Sequence, residues 1–518
     1  MAFLLTWMKS KPVPPERVAT DTVFPLHTLD DTNIARSVTL HLSLRYDDVL
    51  DVDKLGGALQ RLLEKPGWRK LGARLRRGEG GKLEYHMPAK YTKERPAIDL
   101  SHVSHDMPMA EHAQGCKLPR SSGSIQMSKN ASLYRTLLVS DDSPTQLDDW
   151  LYSDRPQLHL HVVSFTDATL VTVTWLHVLF DIMGAGILLS AWTAMLEGRE
   201  DDVPEFHGFD SDPLATLGAP IDETQLGDAS QVEEYVYENR VVSGWKMLRW
   251  VLGFMWELLV YRQEETRCVV LPAALFKKLK SEALEELSSI DPMAMVTDKS
   301  NRPFLSDGDV LCAFLTRLIV SSQPWLPSAR PTKTIQVMNI FGMRPLLTET
   351  SPKLLPKGVA YVANCSTSIS SFFPLHEFLS LPLGHVAARI RSDLVVQSTR
   401  PQIDANMRLS RATMAKTGGH PPLYGDADML LASFTNWTKS KLFETDFKGA
   451  VIVTSGKAEG GHVVGKPTAI FGDATTKGFS VRNSGNCVGR DQDGNWWLGA
   501  CLRAETWRNL ERALDGIR

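Results

Sequence analysis

The chain has 518 residues, 43% of them hydrophobic and 23% charged, with a formal net charge of -3. That is the composition of a globular protein too long for one ordinary core, so more than one domain is expected. A near-neutral chain offers no general attraction to a polyanion, which argues against a nucleic-acid partner. Six cysteines, at 116, 268, 312, 365, 487 and 501, form no CxxC pair and no Cys/His cluster. No metal site is therefore expected, and a reducing, cytoplasmic setting fits. The opening "MAFLLTWMKSKPVPP" lacks a basic leader and an A-x-A-like site, so it is not read as a signal peptide.

In chain order, "SVTLHLSLRY" (37–46) reads as a strand and "VDKLGGALQRLLEKP" (52–66) as a helix. The basic run "RKLGARLRR" (69–77) is read as a solvated face, and "KLEYHMP" (82–88) as a strand. "HLHVVSF" (159–165) and "TLVTVTWLH" (169–177) flank the turn residues Thr166, Asp167 and Ala168, which predicts a hairpin. After a glycine turn, "ILLSAWTAMLEG" (187–198) reads as a helix ending at Gly198. Residues 201–232 are acidic, rich in Gly and Pro and without periodicity. They are read as a crossover linker between an N-terminal unit (1–200) and a C-terminal unit (233–518).

The second unit opens with a predicted helix over 233–261. Its segment "WVLGFMWELLVY" (250–261) contains Glu257 and is far short of the roughly 20 apolar residues of a spanning helix. It is expected to be buried or partner-facing, with a membrane surface as the alternative. Strand "RCVVLP" (267–272) and helix 273–287 follow. Ser306 and Asp309 have capping-box spacing before an apolar-periodic run. Strands at 333–343, 428–437 and 448–455 and a helix over 382–396 complete the pattern. Strands and helices mix without strict βαβ alternation, so the fold class is α/β in two similar-sized halves.

One stretch combines several signals: "VTVTWLHVLFDIMGAG" (171–186). His followed four later by Asp occurs three times, as His27/Asp31, His102/Asp106 and His177/Asp181. Only His177 closes a strongly alternating strand and precedes glycines and a helix. A strand end holds an imidazole rigidly, and a neutral imidazole can take a proton from a hydroxyl, amine or thiol. A hydrogen-bonded core histidine beside a helix-capping aspartate fits the same spacing, and the residues alone leave both readings open. No G-x-S-x-G, P-loop or post-strand G-x-G-x-x-G is present, which weakens hydrolase, kinase and dehydrogenase readings.

These residues resemble the BAHD acyltransferases, in particular their fungal branch. "HVLFDIMGAG" matches the family's HxxxD with trailing Gly, and "VFPLHTLDD" (23–31) its N-terminal P-L-S-x-x-D. "FLSDGDVLCAFLTRLI", "VMNIFGMRP", "GVAYVANCSTSI" (358–369) and "SFTNWTKSKLFETDF" (433–447) match further segments in order. The resemblance implies two chloramphenicol-acetyltransferase-like subdomains packed face to face around a central tunnel. It implies acyl-CoA, most simply acetyl-CoA, as co-substrate with no bound cofactor, and a small-molecule alcohol such as a terpenoid or polyketide as acceptor. His177 is then the general base and Asp181 its structural support, paired with Arg344. Thr435 and Trp437 become candidates for the oxyanion or the acceptor. A DFGWG motif survives only as "DFKGA", keeping Asp446 and Phe447, with "GKP" displaced to 465–467. The chain is expected to act as a monomer. N-acyl transfer, a condensation-like reaction and a non-catalytic ligand-binding relative remain as alternatives on the same fold.

Overall fold

Alternation in β1 (Val38–Tyr46) sends Leu40, Leu42 and Leu44 to one face and Thr39, His41 and Ser43 to the other. Such a pattern usually leaves the polar face wet, yet nearly every residue of this strand is buried. At His41 and Ser43 the polar face is tolerated because it is hydrogen-bonded across the sheet. His41 Nδ1 and Nε2 sit 2.9 and 3.0 Å from the hydroxyls of Thr174 and Thr475, and Ser43 is 2.7 Å from that of Thr172.

The computed structural model describes residues 12–219, 233–289, 296–297, 302–454, 462–478 and 480–515. The apolar N-terminal run and residues 220–232 of the expected linker lie outside them. The first half also supplies β2 (Asp99–Ser104), β3 (Gln126–Met127), β4 (His159–Ser164) and β5 (Thr169–Leu176). The second supplies β6 (Glu264–Leu271), β7 (Thr334–Gly342), β8 (Ser366–Pro374), β9 (Leu430–Asn436), β10 (Ala469–Thr476), β11 (Ser484–Arg490) and β12 (Trp496–Arg503). One sheet has the order β10-β1-β5-β4-β2 and the other β8-β7-β9-β11-β12-β6-β3. Each sheet thus takes an edge strand from the other half of the chain. β10 pairs antiparallel with β1, Gly472 opposite Leu42, and β3 pairs antiparallel with β6.

Three local expectations are corrected. Gly184 and Gly186 do not form a turn but lie in the first turns of α1 (Ile182–Leu196), which starts five residues earlier than predicted. The cause is Asp181, whose side chain caps the backbone N–H of Gly184. The helix expected from 233 begins at Gly244, as α2 (Gly244–Val260), because Ser243 is extended and Gly244 has φ +52°. The basic run is not a solvated face. Lys70, Arg74 and Arg76 are buried, with Arg74 donating to the carbonyls of Gly72 and Asp154 and Arg76 pairing with Asp154. Within the described part of the linker, Phe206 bridges to Ala360 and His207 donates its backbone N–H to the Ala360 carbonyl, so that stretch is packed against the second half. By contrast the expected capping box is present: Ser306 and Asp309 bond reciprocally at the start of α3 (Asp307–Ser321).

One apolar core surrounds the first sheet, with Trp175, Trp192 and Phe447. A second lies between the other sheet and α3 and includes Trp507. α1 touches the second half at very short range. A Cβ at Gly184 would stand 2.1 Å from the Val362 carbonyl oxygen, and one at Gly186 2.4 Å from that of Ser440. Both obstacles are backbone and cannot rotate away. Gly184→Ala is expected to lower unfolding free energy by about 1–3 kcal/mol. Denaturant melts check this, and an unmoved midpoint would show that the 362 loop yields freely.

Candidate functional site

His177 follows the last residue of β5, and its backbone N–H donates to the Val38 carbonyl at 2.9 Å. The turn behind it is clamped on both sides. Trp175 Nε1 donates to the Phe180 carbonyl at 3.0 Å, and the Tyr85 hydroxyl to that of Val178 at 3.0 Å. The ring is half-buried and lines a cavity of about 1650 Å³ between the two sheets. Its buried Nδ1 makes no hydrogen bond to the described protein. Burial pushes the imidazole pKa below its ordinary 6.5, while its own carbonyl, the Asp181 charge and the Asn364 amide pull the other way. The ring is therefore neutral at pH 7.

Asp181 does not bond to that ring. Besides capping Gly184, its carboxylate accepts from the Cys365 backbone N–H at 2.9 Å and from Arg344 Nη1 at 3.0 Å. Arg344 Nη2 lies 2.9 Å from the other carboxylate oxygen. Arg344 is the first residue of α4 (Arg344–Thr350). Its Nε donates to the Tyr361 carbonyl and its Nη2 to those of Val362 and Ala363. Two oxygens and three carbonyls meet one guanidinium, so the buried charges are fully partnered.

Two residues not assigned to the site by sequence reasoning belong to it. Asn364 Nδ2 donates to the His177 carbonyl at 2.9 Å and to Asp30 Oδ1 at 2.7 Å, and its backbone N–H donates to the same oxygen at 2.8 Å. Burial raises the Asp30 pKa to about 7, against the Asn364 bonds and the Lys70 charge. Lys70 Nζ in turn donates to His27 Nε2 at 3.1 Å and to the carbonyls of Gly208 and Phe209. Burial lowers Lys70 to about 8, and burial together with Lys70 lowers His27 to about 4. Both Asp30 and Asn364 stand in segments that resemble family motifs. That was the available signal, but only the fold shows that Asn364 reaches the backbone of His177 and that Asp30 holds Asn364 there.

Thr435 and Trp437 line the same cavity as His177. The indole Nε1 donates to Thr435 Oγ1 at 3.2 Å, which leaves the threonine's own proton free for another acceptor. The Trp437 ring passes over Gly472 so closely that a Cβ there would stand 2.5 Å from it. Asp446 and Phe447 are elsewhere. Phe447 is buried against Tyr46 and Trp192, with ring centroids 5.3 and 4.7 Å away. Its backbone N–H donates to the Gly465 carbonyl at 2.8 Å. The displaced "GKP" thus folds back onto Asp446–Phe447, and between the two the strand Val451–Thr454 pairs with Asp48–Leu50. Among the described residues no group of His, Cys, Asp and Glu is placed to hold a metal ion.

No protein-family model matches the chain. Among curated relatives, the acetyltransferase adrJ of Penicillium rubens is 38% identical, covering 98% of both chains. A protein of Penicillium decumbens named transcriptional regulator calD is 36% identical, covering 97% of both. The O-acetyltransferase PaAT-2 of Phomopsis amygdali is 32% identical over 96% of this chain and 99% of its own. Among solved structures, TRI101 of F. sporotrichioides, complexed with coenzyme A and T-2, superposes with a TM-score of 0.64 at 15% identity over 95% of this chain and 97% of its own. Vinorine synthase gives 0.55 at 14% identity over 98% and 95%. The fold is the two-subdomain, chloramphenicol-acetyltransferase-like one.

The Asp181–Arg344 pair yields a test. Arg344→Met leaves the Asp181 carboxylate and three carbonyls without their partner, and is expected to cost about 3–5 kcal/mol of stability. Adding Asp181→Asn should recover part of that loss in the same denaturant melts. Independent, additive effects of the two substitutions would show that the residues are not coupled.

Proposed function

The chain belongs to the fungal branch of the BAHD acyltransferases, and from that premise we propose that it carries an acetyl group from acetyl-CoA to a hydroxyl of an apolar secondary metabolite, with His177 as general base. The observation that carries the proposal is a neutral, half-buried imidazole on the wall of a cavity lined from both sheets. At about 1650 Å³ that cavity exceeds the roughly 300–1,000 Å³ usual for one ligand, which suits two substrates at once. Terpenoids and polyketides are the acceptors considered, since Met338, Phe341, Met407 and Trp250 give the wall an apolar stretch. The protein acts as a cytoplasmic monomer in this reading, and its six free thiols suit that compartment.

Neutral His177 takes the proton of the acceptor hydroxyl as the oxygen attacks the thioester carbonyl carbon. The tetrahedral intermediate collapses with cleavage of the C–S bond, and the imidazolium returns its proton to the departing thiolate. An ester and free CoA result, with no covalent enzyme intermediate. Thr435, its oxygen already engaged by Trp437, donates its proton to the developing oxyanion. Lys439, exposed on the cavity wall, is the cation offered to a CoA phosphate. Asp181 and Arg344 hold the base in place and take no part in proton transfer.

The relative named as a transcriptional regulator suggests a second reading, in which the fold binds a ligand without turning it over. Release of free thiol from acetyl-CoA in the presence of sterol-like and terpenoid alcohols separates the two. His177→Ala should reduce that release about 10²–10⁴-fold with the thermal melt unchanged. Because the base must be neutral, activity should be flat through pH 7 and fall only as pH drops through a pKa below the ordinary 6.5. An acid limb above 6.5, or turnover indifferent to His177, would overturn the assignment.

Thr435→Val separates the oxyanion role from acceptor binding. Loss of one such donor is expected to reduce kcat about 10²–10³-fold with KM little changed. A rise in KM alone would assign Thr435 to the acceptor instead.

A further inference from the structure

Helix α2 carries an exposed apolar surface most of which lies outside the cavity. None of its residues is buried. At about 100° per residue, one arc holds Met247, Trp250, Phe254, Glu257 and Leu258, all half-buried. Of these, Trp250, Phe254 and Glu257 line the cavity, and Glu257 is paired with Arg503. The opposite arc, about 100° wide, holds Trp245, Leu248, Leu252, Met255, Trp256 and Leu259, all exposed, of which Leu252 and Trp256 also line the cavity. Trp245 and Trp256 are 72% and 68% exposed.

A helix packed on a globular body normally turns its charged side to water, and this one turns its apolar side outward. The two indoles, of order 200 Å² each, leave roughly 300 Å² in water. With the aliphatic neighbours the patch passes the few hundred Å² usual on a monomer. The exposed charges beside it are Lys246, Arg249 and, just beyond the helix, Arg262. All are positive, and the helix's single acid faces inward. Among the described residues no helix is long and apolar enough to cross a membrane. A helix with tryptophans near both ends of its apolar face and cations at its margin has the chemistry of one lying in the interface.

We infer that α2 docks this protein onto the surface of a bilayer carrying anionic headgroups. Trp245 and Trp256 enter the headgroup–acyl boundary, and Lys246, Arg249 and Arg262 meet lipid phosphates. A symmetric second copy fits the face less well, because its own Lys246 and Arg249 would border the same contact. Since the inner arc lines the cavity, docking sets the cavity beside the phase in which an apolar acceptor dissolves. That consequence rests on the acyl-transfer reading, whereas lipid binding itself does not.

The test is co-sedimentation of the full chain with phosphatidylcholine vesicles, with and without phosphatidylserine. Binding to the phosphatidylserine vesicles is expected. Trp245→Glu/Leu259→Glu should reduce the bound fraction at least ~10-fold, while the thermal melt and thiol release with a water-soluble alcohol stay unchanged. Lys246→Glu should weaken the preference for phosphatidylserine. Absence of binding to either vesicle, or binding that the double variant leaves intact, overturns the inference. So does a concentration-dependent dimer, seen by light scattering, that the double variant dissolves, because that assigns the face to a second copy. Vesicle binding without thiol release from any alcohol would sink the transfer reading and leave this one standing.

Discussion

The junction between Asp181 and Arg344 is the constraint on which the site depends. One carboxylate caps α1, receives the Cys365 backbone N–H and pairs with a buried guanidinium from the other half of the chain. The helix must come very close for this to happen, which is why no side chain fits at Gly184. Asn364, next to Cys365, is thereby brought to the His177 carbonyl and to Asp30. His177, the proposed base, is therefore located through its backbone, and its Nδ1 takes no protein partner among the described residues. That is the arrangement a transfer enzyme needs, since a ring nitrogen tied to a protein partner is less available to substrate.

A buried ion pair seldom adds net stability over an apolar contact of the same shape, because both charges must leave water. What this pair supplies is registry. The two sheets exchange edge strands, so either half alone lacks part of its own sheet. A slip at the interface would displace every cavity residue relative to its opposite number. With all three nitrogens of the Arg344 guanidinium set against two carboxylate oxygens and three carbonyls, a shifted seating would break several of these contacts at once. Catalysis is sensitive to misplacement on the scale of 1 Å, and Trp437 against Gly472 is a second contact that tolerates no slack.

The elements legible in the sequence are those whose signal is local. The alternation of β5, the reciprocal cap of Ser306 and Asp309, and the His177–Asp181 spacing all report on neighbours in the chain. The family resemblance reached further, to Arg344, because motif order carries information that periodicity does not. What misled was chemistry completed at a distance. Glycines beside a capping aspartate look like a turn until a carbonyl from residue 362 is seen to need the space. The run at 69–77 looks solvated because its acceptors, the carbonyls of Gly208, Phe209 and Asp154, lie far away in sequence. β10 joins the first sheet across more than 400 residues, and no local pattern announces such a partner. The GKP segment looks displaced because it stands far from Phe447 in sequence, although one backbone hydrogen bond joins Phe447 to Gly465.

In the proposed mechanism, with His177 as base, the burial that keeps its ring neutral also bears on the second half of the reaction. An imidazole whose pKa lies below 6.5 is a weak base, and capture of a hydroxyl proton is favourable only as the oxygen bonds to the carbonyl carbon. Proton transfer and attack are thereby coupled, and a free alkoxide is avoided. Once formed, the imidazolium sits where charge is poorly solvated, facing a departing thiolate whose conjugate acid has a pKa near ~8.5. Handing the proton back to the thiolate is then favourable. A carboxylate bonded directly to the ring would raise the imidazole pKa and slow that return. Turning Asp181 away from the ring, toward Arg344 and Cys365, keeps the base weak enough to release what it takes.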